Sequence, residues 1–330
     1  MPFPCLMVRD GDEITCGVET LSHDDLPAGD VLIKVALSSL NYKDALACQA
    51  HPGVVRHLPH VPGIDCAGHV VESGAGAFQP GDPVLVTGYG FGSTQWGGYS
   101  AFVRVPAEWL VPLPAALSLE EAMILGTAGF TAAQCVTALV HHGVRPEQGE
   151  VAVTGATGGV GSLTVALLAK LGYDVVAVTG KPEHTALLQE VGASKVVARA
   201  TVWDDSDKPL LKTRWAGAVD TVGGNALATL IRGTSYRGCV AACGMAAGHD
   251  LPLSVYPFIL RGVTLAGIDS AQCPRESRLK IWDRLATTWK LDSLSRLTRT
   301  ITLSDLPAEA DEMLAGKSVG RVLVRPEDGA

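Results

Sequence analysis

From residue 1 to about 115 the pattern is short and strand-like, apolar β-branched runs set off by turn-forming residues. The runs are VLIKVALSSL, GHVVES, PVLVTG and SAFVRVP, and the turn signals include Leu26-Pro27-Ala28-Gly29 and Pro80-Gly81-Asp82. This pattern predicts a β-rich domain. It changes at Ser118, where S-L-E-E puts Glu121 three residues after a capping serine and leads into Ala122-Met123-Ile124-Leu125, the signature of a helix start. Beyond it, apolar strands alternate with helical stretches. Strands are predicted at 151–154, 175–179, 195–198, 218–221, 239–243 and 263–268, with helices at 159–171, 183–191 and 226–231. Strands apolar along their whole length are buried on both faces, so repeated βα units of this kind predict a parallel sheet with helices on either side. A helix over 278–290, with Leu279, Trp282, Ala286 and Trp289 on one core-facing stripe, and a strand over 319–324 close the chain. The tail is expected to return to the first domain. The fold class is therefore α/β, with a β-rich domain over 1–125 and 267–330 and a doubly wound parallel sheet over 126–266.

Composition narrows the function. A chain of 330 residues has material for two domains, and 47% hydrophobic against 18% charged residues is the composition of a folded protein. Lys and Arg number 26 against 34 Asp and Glu, a net charge of −8, so no global field attracts nucleic acid or an anionic membrane. An anionic ligand must be met by local basic residues. The start, MPFPCLMVRDGDEIT, has neither a basic segment nor an apolar stretch of signal-peptide type, which argues for the cytoplasm. The uncharged stretches 122–144 and 151–169 are long enough to span a bilayer, but Gly, Thr, Gln or His interrupts both, and they are expected to be core rather than membrane segments. The eight cysteines form no CxxC pair, so thiols are expected rather than a disulfide framework or a zinc lobe. Cys239 and Cys243 flank Val240-Ala241-Ala242 and read as core or strand-end thiols.

The strongest chemical signal is Val151-Ala-Val-Thr-Gly155-Ala-Thr-Gly158-Gly159-Val-Gly161, which follows a predicted strand and opens a predicted helix. Glycines there let the backbone turn tightly and approach a pyrophosphate seated at the positive helix N-terminus, while Gly161 allows helix and strand to pack closely. Dinucleotide binding is expected. No Gly-Lys-Ser/Thr follows, so the turn is not an ATP-binding P-loop. Enzymes that use NAD place an acid about 20 residues on, at the end of the second strand, to hold the ribose hydroxyls. Here that strand ends Val178-Thr179-Gly180-Lys181, and Asp174 lies at its opposite end. A hydroxyl on Thr179 and cations on Lys181 and Arg199 suit a 2′-phosphate, so NADPH is the expected cofactor. The competing reading leaves Lys181 and Arg199 as solvated surface charges.

Five further segments carry a resemblance: Asn41-Tyr42-Lys43-Asp44-Ala45-Leu46-Ala47, Pro62-Gly63-Ile64-Asp65-Cys66-Ala67-Gly68, Gly126-Thr127-Ala128-Gly129-Phe130-Thr131, Trp215-Ala-Gly-Ala-Val-Asp220-Thr-Val-Gly223 and Gly238-Cys-Val-Ala-Ala-Cys-Gly244. With the domain order they resemble the medium-chain dehydrogenase/reductase superfamily over nearly the whole chain, in its zinc-free quinone-oxidoreductase branch and nearest to the acrylyl-CoA reductases. The resemblance implies a GroES-like catalytic domain beside a Rossmann domain. Zinc-dependent members of the superfamily have a Cys in the loop reading Leu40-Asn41-Tyr42 here, and Gly-His-Glu where this chain has Gly63-Ile64-Asp65. Both ligand positions are altered, and His57, His60 and His69 lie outside them, so no metal is expected.

The same resemblance implies that Tyr42 lies against the nicotinamide, that Thr157, Gly158, Gly159 and Val160 hold the pyrophosphate, and that Thr179, Gly180, Lys181 and Arg199 hold the 2′-phosphate. It places Met245, Ile259 and Ser270 on the nicotinamide side, although Met245 and Ile259 suit a core equally well. The implied reaction is hydride transfer to the β-carbon of a short acyl-CoA, acrylyl-CoA giving propionyl-CoA. Quinone reduction and nucleotide binding without turnover are the competing functions. Tyr42, supported by Asn41, is the candidate catalytic pair, with water competing for the proton-donor role and simple packing competing as the role of Tyr42. Arg275, Arg278, Lys280 and Arg284 are candidates for the CoA phosphates, against a solvated helix face. A homodimer paired through the strand at 263–268 is expected.

Overall fold

A computed structural model describes residues 2–292 and 294–327. Contacts divide the chain into two compact units. One comprises Met1–Thr127, Ala271–Thr287 and Leu294–Ala330, and the other Ala128–Ser270 and Thr288–Ser293.

The first unit opens with an antiparallel hairpin, β1 (Phe3–Arg9) and β2 (Thr15–Leu21). The strand-like texture expected from residue 1 is met here, although no particular run is marked before Val31; β1 is apolar at nearly every position instead of alternating. Its residues Phe3, Cys5, Leu6 and Met7 are buried in the core. Next come β3 (Val31–Leu40), α1 (Tyr42–Cys48), β4 (Asp65–Ser73), β5 (Pro83–Thr87), β6 (Phe102–Val105) and β7 (Val111–Pro112). Ser118 caps α2 (Leu119–His141) as expected: the Glu121 N–H donates to its Oγ at 3.0 Å, and the Ser118 N–H donates to the Glu121 carboxylate at 2.8 Å.

Helix α2 is long and apolar enough to cross a membrane, but it is largely buried in the fold. Gly126, at φ 49° and ψ −152°, breaks it into two pieces, each shorter than the roughly 20 residues a span needs.

The second unit holds β8 (Val151–Val153), α3 (Gly159–Lys170), β9 (Val175–Thr179), α4 (Thr185–Glu190), β10 (Lys195–Ala198), β11 (Trp215–Asp220), α5 (Gly224–Gly233), β12 (Thr234–Ala242), α6 (Tyr256–Arg261) and β13 (Thr264–Gly267). Its six strands run parallel in the order β10-β9-β8-β11-β12-β13. The chain winds outward from β8 in one direction and restarts from β11 in the other. A ligand crevice is expected where that order reverses, at the carboxyl ends of β8 and β11.

Back in the first unit follow α7 (Arg275–Ala286), β14 (Thr298–Thr302), α8 (Leu306–Leu314) and β15 (Arg321–Arg325). They complete a seven-stranded sheet, β14-β15-β3-β4-β5-β7, with β6 also pairing β3. Of the stripe expected here, Trp282 and Ala286 are buried on α7 and Trp289 is buried beyond its end, while Leu279 is 36% exposed. The inward face is Arg278, Ile281, Trp282 and Leu285, because a buried arginine occupies the position where a sequence pattern calls for an apolar side chain.

Candidate functional site

In the second unit the glycine-rich turn joins β8 to α3, with Gly158 as the N-cap. The first-turn N–H groups of α3 lack helical partners and, with the helix dipole, favour an anion at that end. Thr157 is buried, while Gly158, Gly159 and Val160 are partly open. Gly161 is required by space. A Cβ there would overlap the Gly155 carbonyl and lie 2.8 Å from Ala156 Cα, so any side chain would push α3 off the turn.

At the end of β9 the Thr179 hydroxyl accepts the Lys181 N–H at 3.0 Å and lies 3.4 Å from the Thr157 hydroxyl. The Arg199 guanidinium lies directly over Gly180, where a Cβ would come 2.5 Å from a terminal nitrogen. Thr179, Gly180, Val197 and Arg199 line an open cleft of about 360 Å³. Partial burial, with the Arg199 charge adding to it, lowers the pKa of the Lys181 ammonium. Arg199 lines the cleft, and Lys181 follows Gly180 in the chain with its charge felt by Arg199; two cations so related suit a multiply charged anion. The residues present therefore fit a phosphorylated dinucleotide. Met245 and Ile259 are not core residues: they are 71% and 74% exposed. Ser270 is half-buried at the end of this unit.

In the first unit Asn41 directly follows β3 as the N-cap of α1, and Tyr42 opens that helix 49% exposed. Beneath them is a buried polar network. The Asp65 carboxylate accepts the Ser39 hydroxyl at 2.7 Å, the Asn41 amide at 2.8 Å, and both the N–H and the hydroxyl of Thr127 at 2.6–3.0 Å. Arg321 forms an ion pair with it at 3.9 Å and donates to the Ile124 and Leu40 carbonyls, the Asn41 side-chain oxygen and the Ser39 hydroxyl. A backbone break at Gly126 would leave Ile124 and Thr127 with unpaired groups, and this acid and base take them up. Gly126 cannot carry a side chain, because a Cβ would overlap Asp65 Oδ2 and lie 2.8 Å from the Ser39 hydroxyl.

Next to this pair Asp44 accepts the Ile64 N–H at 2.8 Å and the Asn41 N–H at 2.9 Å. Burial, and then the neighbouring Asp65, push its carboxyl up to about 7.

The Asn41 side chain donates to Asp65 and accepts from Arg321. One expected role is corrected here. Arg278 is fully buried. Its guanidinium donates to the Thr87 carbonyl and hydroxyl and to the Ala271 carbonyl, and it lies 4.4 Å from the Tyr89 ring centre. It therefore cannot meet a CoA phosphate. Arg275 donates to the Glu108 and Leu110 carbonyls, and Lys280 pairs with Glu276 at 2.6 Å, while Arg284 stands exposed.

The donor set does not fit zinc. The implied ligand positions hold Asn41, which is engaged in the network, and Ile64, a buried hydrocarbon; of the two neighbouring carboxylates, Asp65 already accepts four donors and Asp44 accepts the Asn41 and Ile64 N–H groups. The His60 ring is bonded to the Gly92 carbonyl at 3.1 Å, and no group of three metal-ligating side chains occurs among the described residues. Sequence reasoning passed over Arg321 and Thr127, whose partners are remote in sequence, and Asp220, which lay inside a quoted motif with no role assigned.

Comparison with known proteins gives this geometry its context. A model of the alcohol dehydrogenase GroES-like domain matches residues 27–115, and one of the zinc-binding dehydrogenase family matches residues 159–287. The acrylyl-CoA reductase AcuI of Ruegeria pomeroyi is 48% identical over 96% of this chain and 98% of its own length. YhfP of Bacillus subtilis, named as a quinone oxidoreductase, is 48% identical over 96% of each chain. Its structure with NAD bound superposes with a TM-score of 0.96 at 47% identity, covering 98% of this chain and 99% of that one. The yhdH oxidoreductase of Salmonella enterica, solved with NADP, gives a TM-score of 0.95 at 46% identity over 98% and 99%.

Proposed function

The chain belongs to the medium-chain dehydrogenase/reductase superfamily, and from that premise we propose that it is an NADPH-dependent reductase of the carbon–carbon double bond of a short α,β-unsaturated acyl-CoA, converting acrylyl-CoA to propionyl-CoA. The observation that carries this reading is the 48% identity to an acrylyl-CoA reductase over almost the full length of both chains. The NADP in the yhdH structure supports the choice of cofactor.

Bound NADPH supplies a hydride to the substrate β-carbon. In this reading Thr157, Gly158, Gly159 and Val160 hold the pyrophosphate, Thr179, Gly180, Lys181 and Arg199 hold the 2′-phosphate, and Met245, Ile259 and Ser270 line the nicotinamide end. Since Asn41 and Ile64 cannot act as metal ligands, the thioester carbonyl of the substrate itself takes up the electron density that hydride attack delivers. Tyr42 orients the reactants, and its hydroxyl, on an exposed side chain at a helix start, donates the proton to the α-carbon. Asn41 is a positioning residue that ties the start of α1 to Asp65. A homodimer formed along the exposed edge of β13, and a cytoplasmic location, belong to the same proposal.

Quinone reduction is the second reading, favoured by the name of YhfP. NADPH oxidation measured with acrylyl-CoA, with a quinone and with neither, alongside detection of propionyl-CoA, separates the two. Turnover with the quinone alone would overturn the acyl-CoA reading, and turnover with neither would leave a nucleotide-binding protein.

A further inference from the structure

The turns at the carboxyl ends of β8, β11 and β12 interlock around one buried acid, Asp220. Its carboxylate accepts the Thr154 hydroxyl at 2.7 Å on one oxygen and the Gly223 N–H at 2.7 Å on the other. The Thr154 hydroxyl in turn accepts the Thr221 N–H at 3.0 Å, and the Thr221 hydroxyl donates to the Thr154 carbonyl at 3.0 Å. The third turn joins through the Cys243 N–H on the Asp220 carbonyl at 3.0 Å and the Ala247 N–H on the Val222 carbonyl at 2.7 Å. Thr154 immediately precedes the glycine-rich turn, and Gly223 is the N-cap of α5.

We propose that Asp220 is a positioning residue for the cofactor pyrophosphate, fixing the glycine-rich turn through Thr154 and the β11–α5 turn through Gly223. The proposal rests on the reading of residues 157–160 as the pyrophosphate cradle. Charge and geometry oppose each other here, and that makes the role testable. A carboxylate close to a site for a dianion repels the ligand, so an Asp220 acting through its field would weaken binding, and Asp220→Asn would tighten it. An Asp220 acting by holding the turns has the opposite effect on removal. Asn must turn its amide N–H groups toward the Gly223 N–H, or toward the Thr154 hydroxyl, which then accepts from both Asn and Thr221 and loses the acceptor for its own proton; either way one hydrogen bond that ties the turns is lost.

The experiment measures binding of NADPH and of adenosine 2′-monophosphate, which has no pyrophosphate, to wild type, Asp220→Asn, Thr154→Val and Thr154→Ser. Asp220→Asn and Thr154→Val are expected to weaken NADPH at least tenfold and adenosine 2′-monophosphate less than twofold, while Thr154→Ser, which keeps the hydroxyl, stays near wild type. Equal or tighter NADPH binding by Asp220→Asn, equal losses for both ligands, or a Thr154→Ser loss matching Thr154→Val would each overturn the proposal. Should Asp220→Asn fail to fold, the Thr154 pair carries the test. Lys181→Ala is the control for the underlying reading, since it should weaken both ligands. If it spares adenosine 2′-monophosphate, the assignment of the 2′-phosphate site fails, whatever Asp220 does.

Discussion

Cofactor discrimination can be broken at Gly180 without removing any charge. The Arg199 guanidinium lies over this residue, and a Cβ would stand 2.5 Å from one terminal nitrogen and 3.0 Å from Cζ. Those atoms are the far end of a flexible, exposed side chain, so Gly180→Ala moves the guanidinium aside at little cost to the fold. What is lost is its place beside Lys181. Two unit charges about 4 Å apart interact by roughly 4 kcal/mol at an effective dielectric constant of 20. For an exposed Arg199 and a half-buried Lys181 facing a phosphate, salt and solvent reduce that to about 1–1.5 kcal/mol each, or roughly tenfold in affinity.

Lys181→Ala and Arg199→Ala are therefore each expected to weaken NADPH about tenfold, and Gly180→Ala several-fold. Because the two cations repel each other, losing the first relieves some strain, and the double variant should lose more than the product of the singles. NADH has only a ribose hydroxyl at that position, and its affinity should change less than twofold in every variant. Titration calorimetry with both cofactors at low and moderate salt reads this directly, and the salt dependence of NADPH binding should flatten in the double variant. Equal losses for NADPH and NADH, or a Gly180→Ala protein that keeps its full preference, would refute the assignment of this cleft to the 2′-phosphate.

Four further outcomes are expected. Tyr42→Phe, which removes only the hydroxyl, should lower turnover with acrylyl-CoA at least tenfold while NADPH affinity holds, and unchanged turnover would hand the proton to solvent. Chelator treatment should leave activity intact with no stoichiometric zinc found by metal analysis, whereas a loss reversed by added zinc would show the reading of Asn41 and Ile64 wrong. Light scattering at micromolar concentration should give the mass of two chains, since β13 ends the six-stranded sheet with an unpaired edge, and the mass of one chain would reject the dimer. Asp44, raised to about 7 by burial and by Asp65, holds a proton in the folded state that the unfolded chain releases near pH 4. Its contribution is full below about pH 4 and is lost as pH rises to about 7, at up to roughly 1.4 kcal/mol per unit; urea unfolding at pH 5 and 7 should show a shallower pH dependence for Asp44→Asn, and parallel curves would refute this.

The contrast between the two units shows what a sequence carries by itself. In the second unit the signals are local. Continuous apolar runs mark β9 and β10 with the bounds expected for them, and a glycine cluster between strand and helix already contains the geometry of an anion site, because the turn, the helix N-terminus and the Gly161 packing all lie within a few residues. The edge at Thr179, Gly180 and Lys181 is equally local, and only Arg199 has to come from the next strand. On and just beyond α7 the expected stripe holds at Trp282, Ala286 and Trp289 and fails at Leu279: periodicity sees hydrophobicity and cannot see that Arg278 is buried with Thr87 and Ala271 as its partners.

In the first unit the chemistry comes from residues remote in sequence. Arg321 reaches a carbonyl 197 residues away, and Asp65 holds an N–H 62 residues away. Neither contact has a periodicity, and a segment reading Leu-Gly-Thr-Ala-Gly inside an apolar helix gives no sign of a break. Yet the parts depend on one another. Gly126 can adopt φ 49° and has no Cβ to strike Asp65; the break it makes frees the Ile124 carbonyl and the Thr127 N–H; and those two groups give a buried aspartate and a buried arginine the partners that burial requires. Asn41 is drawn in by the same carboxylate and leads directly into Tyr42. The proposed catalytic tyrosine therefore begins a helix whose cap is held by the network that pays for the kink, so a change at Gly126 would reach Tyr42 through Asp65 and Asn41 without touching either cofactor or substrate.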